Sequence, residues 1–250
     1  MQPKAFVEKL IYKVLWPRQQ LYKWVAWHLG YRVRSGIFEG MTYMPDATWG
    51  NPGNKLLGTY EKELQPVWQA LNLREPQVIY DIGAAEGYYA IGFATKCPQS
   101  EIFTWEMDVS SQNQLLVNAR ANHVEQQIHL SGECNERSLY GSILQKRPDV
   151  LLMDVEGSEL DLCSERCIQS SLPATWVIEC HSEAIVQELT GRFSASHEVR
   201  LIPNEPRNPA EISGMLPKFC LLLPRDLQRL VDEGRPFSTP WLVAGPLPKA

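Results

Sequence analysis

An apolar run that ends in a glycine turn constrains this chain more than any other stretch. Residues 78–92 have the sequence VIYDIGAAEGYYAIG. Residues 78–80 suit a buried parallel strand, with Asp81 at its carboxyl end. Gly83 and Gly87 permit a sharp turn and a close approach of the backbone to a ligand, and an apolar helical pattern follows them. The pattern predicts a nucleotide-type loop at the carboxyl edge of a sheet.

The residues that this loop lacks argue against a dinucleotide. A dinucleotide fingerprint needs glycines at its first, third and sixth places. Counted from Gly83, the two later places hold Ala85 and Tyr88. Glu86, at the start of the next helix, would also repel a phosphate. S-adenosylmethionine fits better, because it has a sulfonium cation and a ribose diol and no phosphate; a glycine turn in an unrelated α/β protein is the alternative.

The sequence D-I-G-A-A-E-G resembles motif I of the class I methyltransferases. Most members have a further glycine where Ala85 stands, a departure that still leaves the backbone path possible. The resemblance implies that the cofactor is bound by Asp81, Gly83, Ala84 and Gly87.

Length and composition set outer bounds on the protein. The 250 residues fit one α/β domain with appendages. No apolar run is long enough to cross a bilayer, and the start has no signal-peptide pattern. The six cysteines show no metal-pair spacing, which favours reduced thiols and a cytoplasmic location.

Charge is unevenly distributed along the chain. Residues 1–34 have seven basic side chains and one acidic side chain, a net charge of +6 that leaves −11 for the remainder of a chain whose total is −5. The acidic body argues against nucleic-acid binding. The basic amphipathic start predicts helices broken near Pro17 that pack on the domain, with weak contact to a membrane surface or a second copy as alternatives.

Three sections of chain follow from these patterns. Residues 1–34 are the helical extension, residues 35–74 are a lid or strap loop and a helix before the motif, and residues 75–250 are the cofactor-binding domain. A helix predicted from Thr59 to residue 71 would bring Tyr60 and Glu61 near the cofactor, although a surface acid in a first helical turn is the commoner case.

Two acids after the next strands are candidates for the cofactor. Residues 102–108 predict a second strand ending in Glu106, 25 positions beyond Asp81, the order of spacing at which a nucleotide fold places an acid on the ribose hydroxyls. Asp108 is held in reserve for this role. Glu133, after the third strand, is a weaker candidate for the adenine side.

The stretch DVLLMDVEGSELDLC, residues 149–163, predicts a central strand followed by a turn and a helix. Asp154 would emerge at the same sheet edge as Asp81. Glu156 is two residues further on, so in an extended chain its side chain would point to the same side as that of Asp154. TWVIECHS, residues 175–182, predicts the neighbouring strand and brings Glu179 and His181 to that edge.

Three motifs together resemble the FkbM family of S-adenosylmethionine-dependent O-methyltransferases: D-I-G-A-A-E-G, D-V-E-G-S-E and W-V-I-E-C-H. The resemblance covers roughly residues 35 to 182. It implies O-methylation of a hydroxyl on a sugar, glycan or secondary metabolite. Strands and helices alternate along the chain and end in a late pair, which fits the α/β, Rossmann-like, seven-stranded class I methyltransferase sheet with helices on both faces.

The same residues suggest roles in catalysis. A carboxylate or imidazole of tuned pKa can accept the proton of a hydroxyl, so His181 or Asp154 is predicted as the base and Glu156 as the group that orients the acceptor. Asp154, Glu156, Glu179 and His181 could alternatively hold Mg²⁺, although their spacing does not demand a metal. An NAD(P)-dependent oxidoreductase and a non-catalytic S-adenosylmethionine-binding module are the two functional alternatives.

Overall fold

The computed structural model describes residues 18–44, 50–72, 74–212, 214–216, 224–233 and 239–246. The helices predicted before residue 18 lie outside these residues. The α-helices are α1 Arg18–His28, α2 Pro52–Leu57, α3 Gln65–Asn72, α4 Tyr88–Lys96, α5 Val109–Ala121, α6 Glu136–Gln145, α7 Glu159–Leu162, α8 Glu165–Ser171, α9 Glu183–Phe193 and α10 Pro224–Val231. The strands are β1 Val78–Ile82, β2 Glu101–Trp105, β3 Ile128–Ser131, β4 Val150–Met153, β5 Thr175–Glu179, β6 His197–Ile202 and β7 Trp241–Pro246.

The seven strands form one mixed sheet in the order β3-β2-β1-β4-β5-β7-β6. Strands β1 to β5 are parallel, and β7 lies antiparallel to both β5 and β6. The strand order reverses at β1, whose neighbours are β2 and β4. Ligands bind at such a reversal in open α/β sheets, outside the carboxyl ends of the strands. The predicted seven-stranded α/β architecture is confirmed.

Alternating side chains of the strands feed two hydrophobic cores, one on each face of the sheet. All five residues of β1 are buried, with Ile79 in one core and Tyr80 in the other. The first core includes residues of α1 to α5, and the second includes residues of α6 to α9. Burying an aliphatic side chain such as Ile79 contributes about 1.5–3 kcal/mol, so the central strands anchor the loops at their ends.

The segment before the glycine turn differs from its prediction as a loop followed by one helix. Helix α2 lies within the predicted loop: Asn51 accepts a hydrogen bond from the Gly53 amide, and Gly58 ends the helix at φ 75°. The helix predicted from Thr59 is divided into a 3₁₀ turn, Lys62–Leu64, and α3. The left-handed backbone of Glu61, at φ 44°, precedes that turn.

Two predicted strands end earlier in the structure. Strand β2 ends at Trp105, one residue before its predicted end at Glu106, and the Asp108 carboxylate caps α5 by accepting a hydrogen bond of 2.7 Å from the Ser111 amide. Strand β5 ends at Glu179, and Ser182 caps α9. A side chain in a cap is committed to the helix amides. Asp108, the reserve candidate for the ribose, therefore has a structural role.

None of the helices among the described residues has the length and apolar character that would let it cross a bilayer.

Candidate cofactor and catalytic site

A cavity of about 320 Å³ opens at the carboxyl ends of β1, β2 and β4. Four carboxylates line it: Glu106, Glu133, Asp154 and Glu156. The remaining wall is largely apolar and includes Ile82, Trp105, Met107, Val155 and Leu162. The predicted candidates Gly83, Glu106, Glu133, Asp154 and Glu156 thus share one cavity, at the sheet edge where the sequence places them.

The glycine turn forms the floor of this cavity. Gly83 has φ +84°, and a Cβ at this position would lie 1.8 Å from the carbonyl oxygen of Asp154. The Gly83 and Ala84 amides donate to the carbonyl oxygen of Trp105 at 2.9 and 3.0 Å. Glycine is therefore required here, because the turn is pressed against the end of β4.

Ala85 occupies the place where most class I methyltransferases have another glycine. Its φ is +46°, in the left-handed region that glycine adopts at low cost. The Ala85 amide donates a 2.8 Å hydrogen bond to Oε2 of Glu106. The expected backbone path is thus present, with an alanine held in a strained conformation.

Two backbone amides hold the Glu106 carboxylate, one from the glycine turn and one from the segment after β2. Its Oε2 accepts from Ala85 and its Oε1 accepts from the Asp108 amide at 2.7 Å. The residue is 9% exposed and lines the cavity. A carboxylate fixed in this way is suited to accept hydrogen bonds from a ribose diol.

Three other candidates of the glycine motif lie behind the cavity surface. Asp81 is 2% exposed, and burial raises its pKa to about 7; a hydrogen bond with the Ala90 backbone opposes the rise, and the charges of Glu106 and Glu86 add to it. A Cβ on Gly87 would lie 2.8 Å from Leu115, so Gly87 serves helix packing. Ala84 is buried as well.

Tyr60 and Glu61 do not line this cavity. They line a small neighbouring pocket with Tyr88, Tyr89 and Trp68. Glu61 is 1% exposed and accepts a hydrogen bond from the Tyr89 hydroxyl, while Tyr60 packs edge-on against Tyr88. The structure therefore places both candidates in the packing between the segment before the motif and α4.

Glu86 also lies away from the cavity. Its side chain is 0% exposed and pairs with the Lys55 ammonium group, and the Tyr43 hydroxyl donates to the same oxygen. The argument that Glu86 repels a phosphate is wrong, because Lys55 balances its charge. The preference for a ligand without phosphates rests on the four carboxylates that line the cavity instead.

His181 connects the ends of β4 and β5. Its Nε2 lies 3.3 Å from Oε2 of Glu156, 3.6 Å from Oδ1 of Asp154 and 3.8 Å from Oε1 of Glu179. The imidazole is 17% exposed, and Glu156 is the most exposed of the three acids at 79%. The structure thus brings the predicted catalytic residues together beside the cavity.

The partner that sequence reasoning missed is Glu159, the first residue of α7. Its side chain is 0% exposed, and its Oε1 contacts Nδ1 of His181. Glu156 and Gly157 have positive φ values of 52° and 113°, so the chain turns sharply just before Glu159. The sequence D-V-E-G-S-E includes this residue, but an acid at the start of a helix is usually a surface residue.

Carboxylates control the pKa of His181. Burial lowers it, while the hydrogen bond to Glu159 and the charges of Glu179, Glu159 and Glu156 raise it more, so that the pKa lies above 6.5. The ring therefore stays protonated to a higher pH than a free histidine.

The same group has the spacing of a possible cation site. Asp154, Glu156 and His181 each offer one ligand atom, and these atoms lie within 4.8 Å of one another. The two carboxylates offer the oxygen ligands that Mg²⁺ or Mn²⁺ prefers, and the imidazole would add a nitrogen ligand, so these three side chains would hold such a divalent cation.

The loop after β6 contains a buried arginine, Arg207. Arg207 is 9% exposed and forms ion pairs with Glu63 and Glu233. Its guanidinium group is thus engaged in a buried network with the segment before the motif.

No protein-family model and no curated protein matches the sequence. Solved structures do match it. An O-methyltransferase from Bacillus cereus in complex with SAH aligns with a TM-score of 0.53 and 11% identity over 96% of each chain. A SAM-dependent O-methyltransferase from Thermotoga maritima aligns with a TM-score of 0.51 and 12% identity over 76% of this chain and 67% of its own. The cofactor-bound Rv0187 from MTB aligns with a TM-score of 0.50 and 10% identity over 82% of this chain and 91% of its own. At these identities the likeness concerns the fold, and this protein has the α/β fold of the class I methyltransferases.

Proposed function

We propose that this protein is an S-adenosylmethionine-dependent O-methyltransferase of the FkbM type, acting on a hydroxyl of a sugar, glycan or secondary metabolite. The supporting observation is the set of four carboxylates that line a cavity at the reversal point of the sheet, next to His181. Among the described residues that line it, none is lysine or arginine. This charge suits a sulfonium cofactor and does not suit a pyrophosphate.

The finer parts of the proposal rest on different observations. The FkbM assignment rests on the three sequence motifs, and a cytoplasmic location rests on the unpaired cysteines. The solved O-methyltransferases of similar fold, one of them with SAH bound, support the cofactor. Contact of residues 1–34 with a membrane surface or a second copy stays a prediction, and residues 1–17 lie outside the described residues.

The roles of the side chains follow from their positions. Bound S-adenosylmethionine would supply a methyl group already activated by its sulfonium. Glu106, fixed by two backbone amides, would accept the ribose hydroxyls, and Glu133 would lie on the adenine side. His181 or Asp154 would take the proton of the acceptor hydroxyl, and Glu156 would orient the acceptor. Alignment of the reacting groups supplies much of the rate, up to about 7–11 kcal/mol in favourable cases.

The cofactor part of the proposal is tested by calorimetry with S-adenosylhomocysteine. We expect micromolar binding to the wild type and at least about tenfold weaker binding to Glu106→Ala, because the variant loses both ribose acceptors and the bond that holds Ala85. Glu101→Ala is the matched control, since Glu101 lies at the opposite end of β2 and is 43% exposed. An absence of heat with the wild type would exclude the proposed cofactor.

Turnover separates the proposal from its alternatives. We expect transfer of a labelled methyl group to a hydroxyl in a panel of sugars, glycans and metabolites. A nicotinamide oxidoreductase would instead bind NADH and quench tryptophan fluorescence. A non-catalytic module would bind S-adenosylhomocysteine and methylate nothing, and His181→Ala would then leave its cellular function intact.

A further inference from the structure

The two ring nitrogens of His181 face different partners. Nδ1 contacts the fully buried carboxylate of Glu159, whereas Nε2 is directed toward Glu156 and Asp154, both of which line the cavity. An ionised carboxylate only accepts hydrogen bonds, so the contact with Glu159 requires the hydrogen of the neutral ring to be on Nδ1. The lone pair is then on Nε2, on the cavity side.

The burial of Glu159 is costly. Its Oε1 also accepts a 3.2 Å hydrogen bond from the Gly157 amide, whereas Oε2 is buried and makes no hydrogen bond to the described residues. A buried carboxylate with one unsatisfied oxygen is less favourable than an apolar side chain of similar size. Packing alone therefore does not explain a glutamate here, while its contact with His181 does.

We propose that Glu159 is the positioning residue of the active site: it holds His181 with the hydrogen on Nδ1 and thereby makes Nε2 the base. This inference rests on the proposed function, and it selects His181 over Asp154. In the reaction, the acceptor O–H bond breaks and its proton moves to Nε2. Bound S-adenosylmethionine would supply the methyl group: the acceptor oxygen would bond to the methyl carbon, the bond from that carbon to the sulfonium would break, and S-adenosylhomocysteine would be left.

The local fold also explains the position of Glu159. Glu156 and Gly157 have left-handed backbone shortly after β4, and α7 then begins with Glu159, whose side chain contacts the histidine that follows β5. The acid that lines the cavity and the acid that holds the ring thus lie three residues apart, on opposite sides of one imidazole. Removing the carboxylate that orients a metal-bound or catalytic histidine lowers activity by about tenfold or more.

The tautomer of His181 is measured by nitrogen NMR on protein with labelled histidine, at a pH where the ring is neutral. Five histidines are present, and His181→Gln assigns the signal. We expect the wild type to have hydrogen on Nδ1, and Glu159→Gln to shift the population toward hydrogen on Nε2. Asp161→Asn is the matched control, because Asp161 is an exposed acid in the same helical turn. A wild type with hydrogen on Nε2 overturns the inference even if no variant can be purified.

Kinetics test the consequence of this placement. We expect Glu159→Gln to lower kcat at least about tenfold. The KM for S-adenosylmethionine, the affinity for S-adenosylhomocysteine and the melting temperature should stay close to the wild-type values. An unchanged kcat in a variant with an altered tautomer overturns the positioning role. If the wild type methylates no acceptor, the proposed function fails, while the NMR measurement still decides whether Glu159 holds the ring.

Discussion

Lys55 and Glu86 form an ion pair that is closed to solvent, with side chains 4% and 0% exposed. Lys55 lies in α2 and Glu86 lies in the loop that leads into α4. The Tyr43 hydroxyl donates to the same oxygen of Glu86, and the Lys55 ammonium group lies 4.8 Å from the centre of the Tyr60 ring. These contacts fix the segment before the motif to the start of α4, directly behind the glycine turn.

Removing one member of this pair should be strongly destabilising. We expect Lys55→Met to lower the free energy of unfolding by about 3–5 kcal/mol, because the carboxylate of Glu86 stays buried without its cation. Urea denaturation measures this change. The double variant Lys55→Met with Glu86→Leu should recover much of the loss, since both charges are then removed.

Lys62 provides the control for this measurement. It pairs with Glu211 at 2.8 Å, but the two side chains are 45% and 31% exposed. Lys62→Met should therefore change the free energy of unfolding by less than about 1 kcal/mol. Equal losses in Lys55→Met and Lys62→Met would contradict a special role for the buried pair.

Gly83 should tolerate no side chain. A methyl group there would overlap the Asp154 carbonyl at 1.8 Å, and φ +84° adds strain for any other residue. We expect Gly83→Ala to abolish S-adenosylhomocysteine binding in calorimetry, because the turn must move away from β4. Gly141→Ala is the control: Gly141 lies in α6 with no atom within 4 Å of the added carbon, so this variant should gain about 0.5–1 kcal/mol and bind normally. Normal binding by Gly83→Ala would contradict the placement of the cofactor on this turn.

The residues at the carboxyl edge of the sheet could be predicted from the sequence, because each of them lies next to its strand in the chain. Buried apolar runs mark β1 and β4, and each is followed directly by the residues that line the cavity, as with Asp154 after β4. Parallel strands present their carboxyl ends at one edge, so linear order predicts spatial proximity. The same rule brought His181 to Asp154 from the adjacent strand β5.

Contacts that depend on tertiary packing were not predictable in this way. Lys55 and Glu86 are 31 residues apart, and no periodic pattern joins them. The burial of Glu159 depends on left-handed backbone at Glu156, a residue type that seldom adopts it. Helix α2, by contrast, was missed although its signals were present: the capping residue Asn51, proline at the first helical position and Gly58 at the end.

The rate of methyl transfer should depend on the protonation of His181. Four carboxylates from different elements face the ring: Asp154 after β4, Glu156 in the turn, Glu159 in α7 and Glu179 at the end of β5. Burial lowers the pKa, and the hydrogen bond to Glu159 and the neighbouring charges raise it above 6.5. Because the base acts when neutral, we expect kcat to rise with pH and to reach half its maximum above pH 6.5.

Glu179→Gln tests the cause of this shift. This variant removes a negative charge near Nε2. The pH at which kcat is half-maximal should therefore fall, since Glu179 raises the pKa of His181. Glu183→Gln, an exposed position at the start of α9, should leave the profile unchanged. The raised pKa of His181 also makes the free energy of unfolding depend on pH, in the opposite direction to kcat. The stabilising contribution of the protonated ring is present below pH 6.5 and is lost as pH rises through the raised pKa. A kcat that does not rise with pH above pH 6.5 would exclude His181 as the base.

Removal of divalent cations distinguishes a base from a metal ligand at Nε2 of His181. The atoms offered by Asp154, Glu156 and His181 are close enough to hold a cation, and a bound cation would occupy the lone pair that the base needs. If Nε2 is the base, its lone pair must be free of metal during turnover, so we expect the methylation rate to be unchanged after dialysis against EDTA. A lost rate that Mg²⁺ or Mn²⁺ restores would make His181 a ligand. Asp154→Asn would then weaken the affinity for the cation, measured by titrating the metal alone into the protein, whereas in the base mechanism no such binding should be detected.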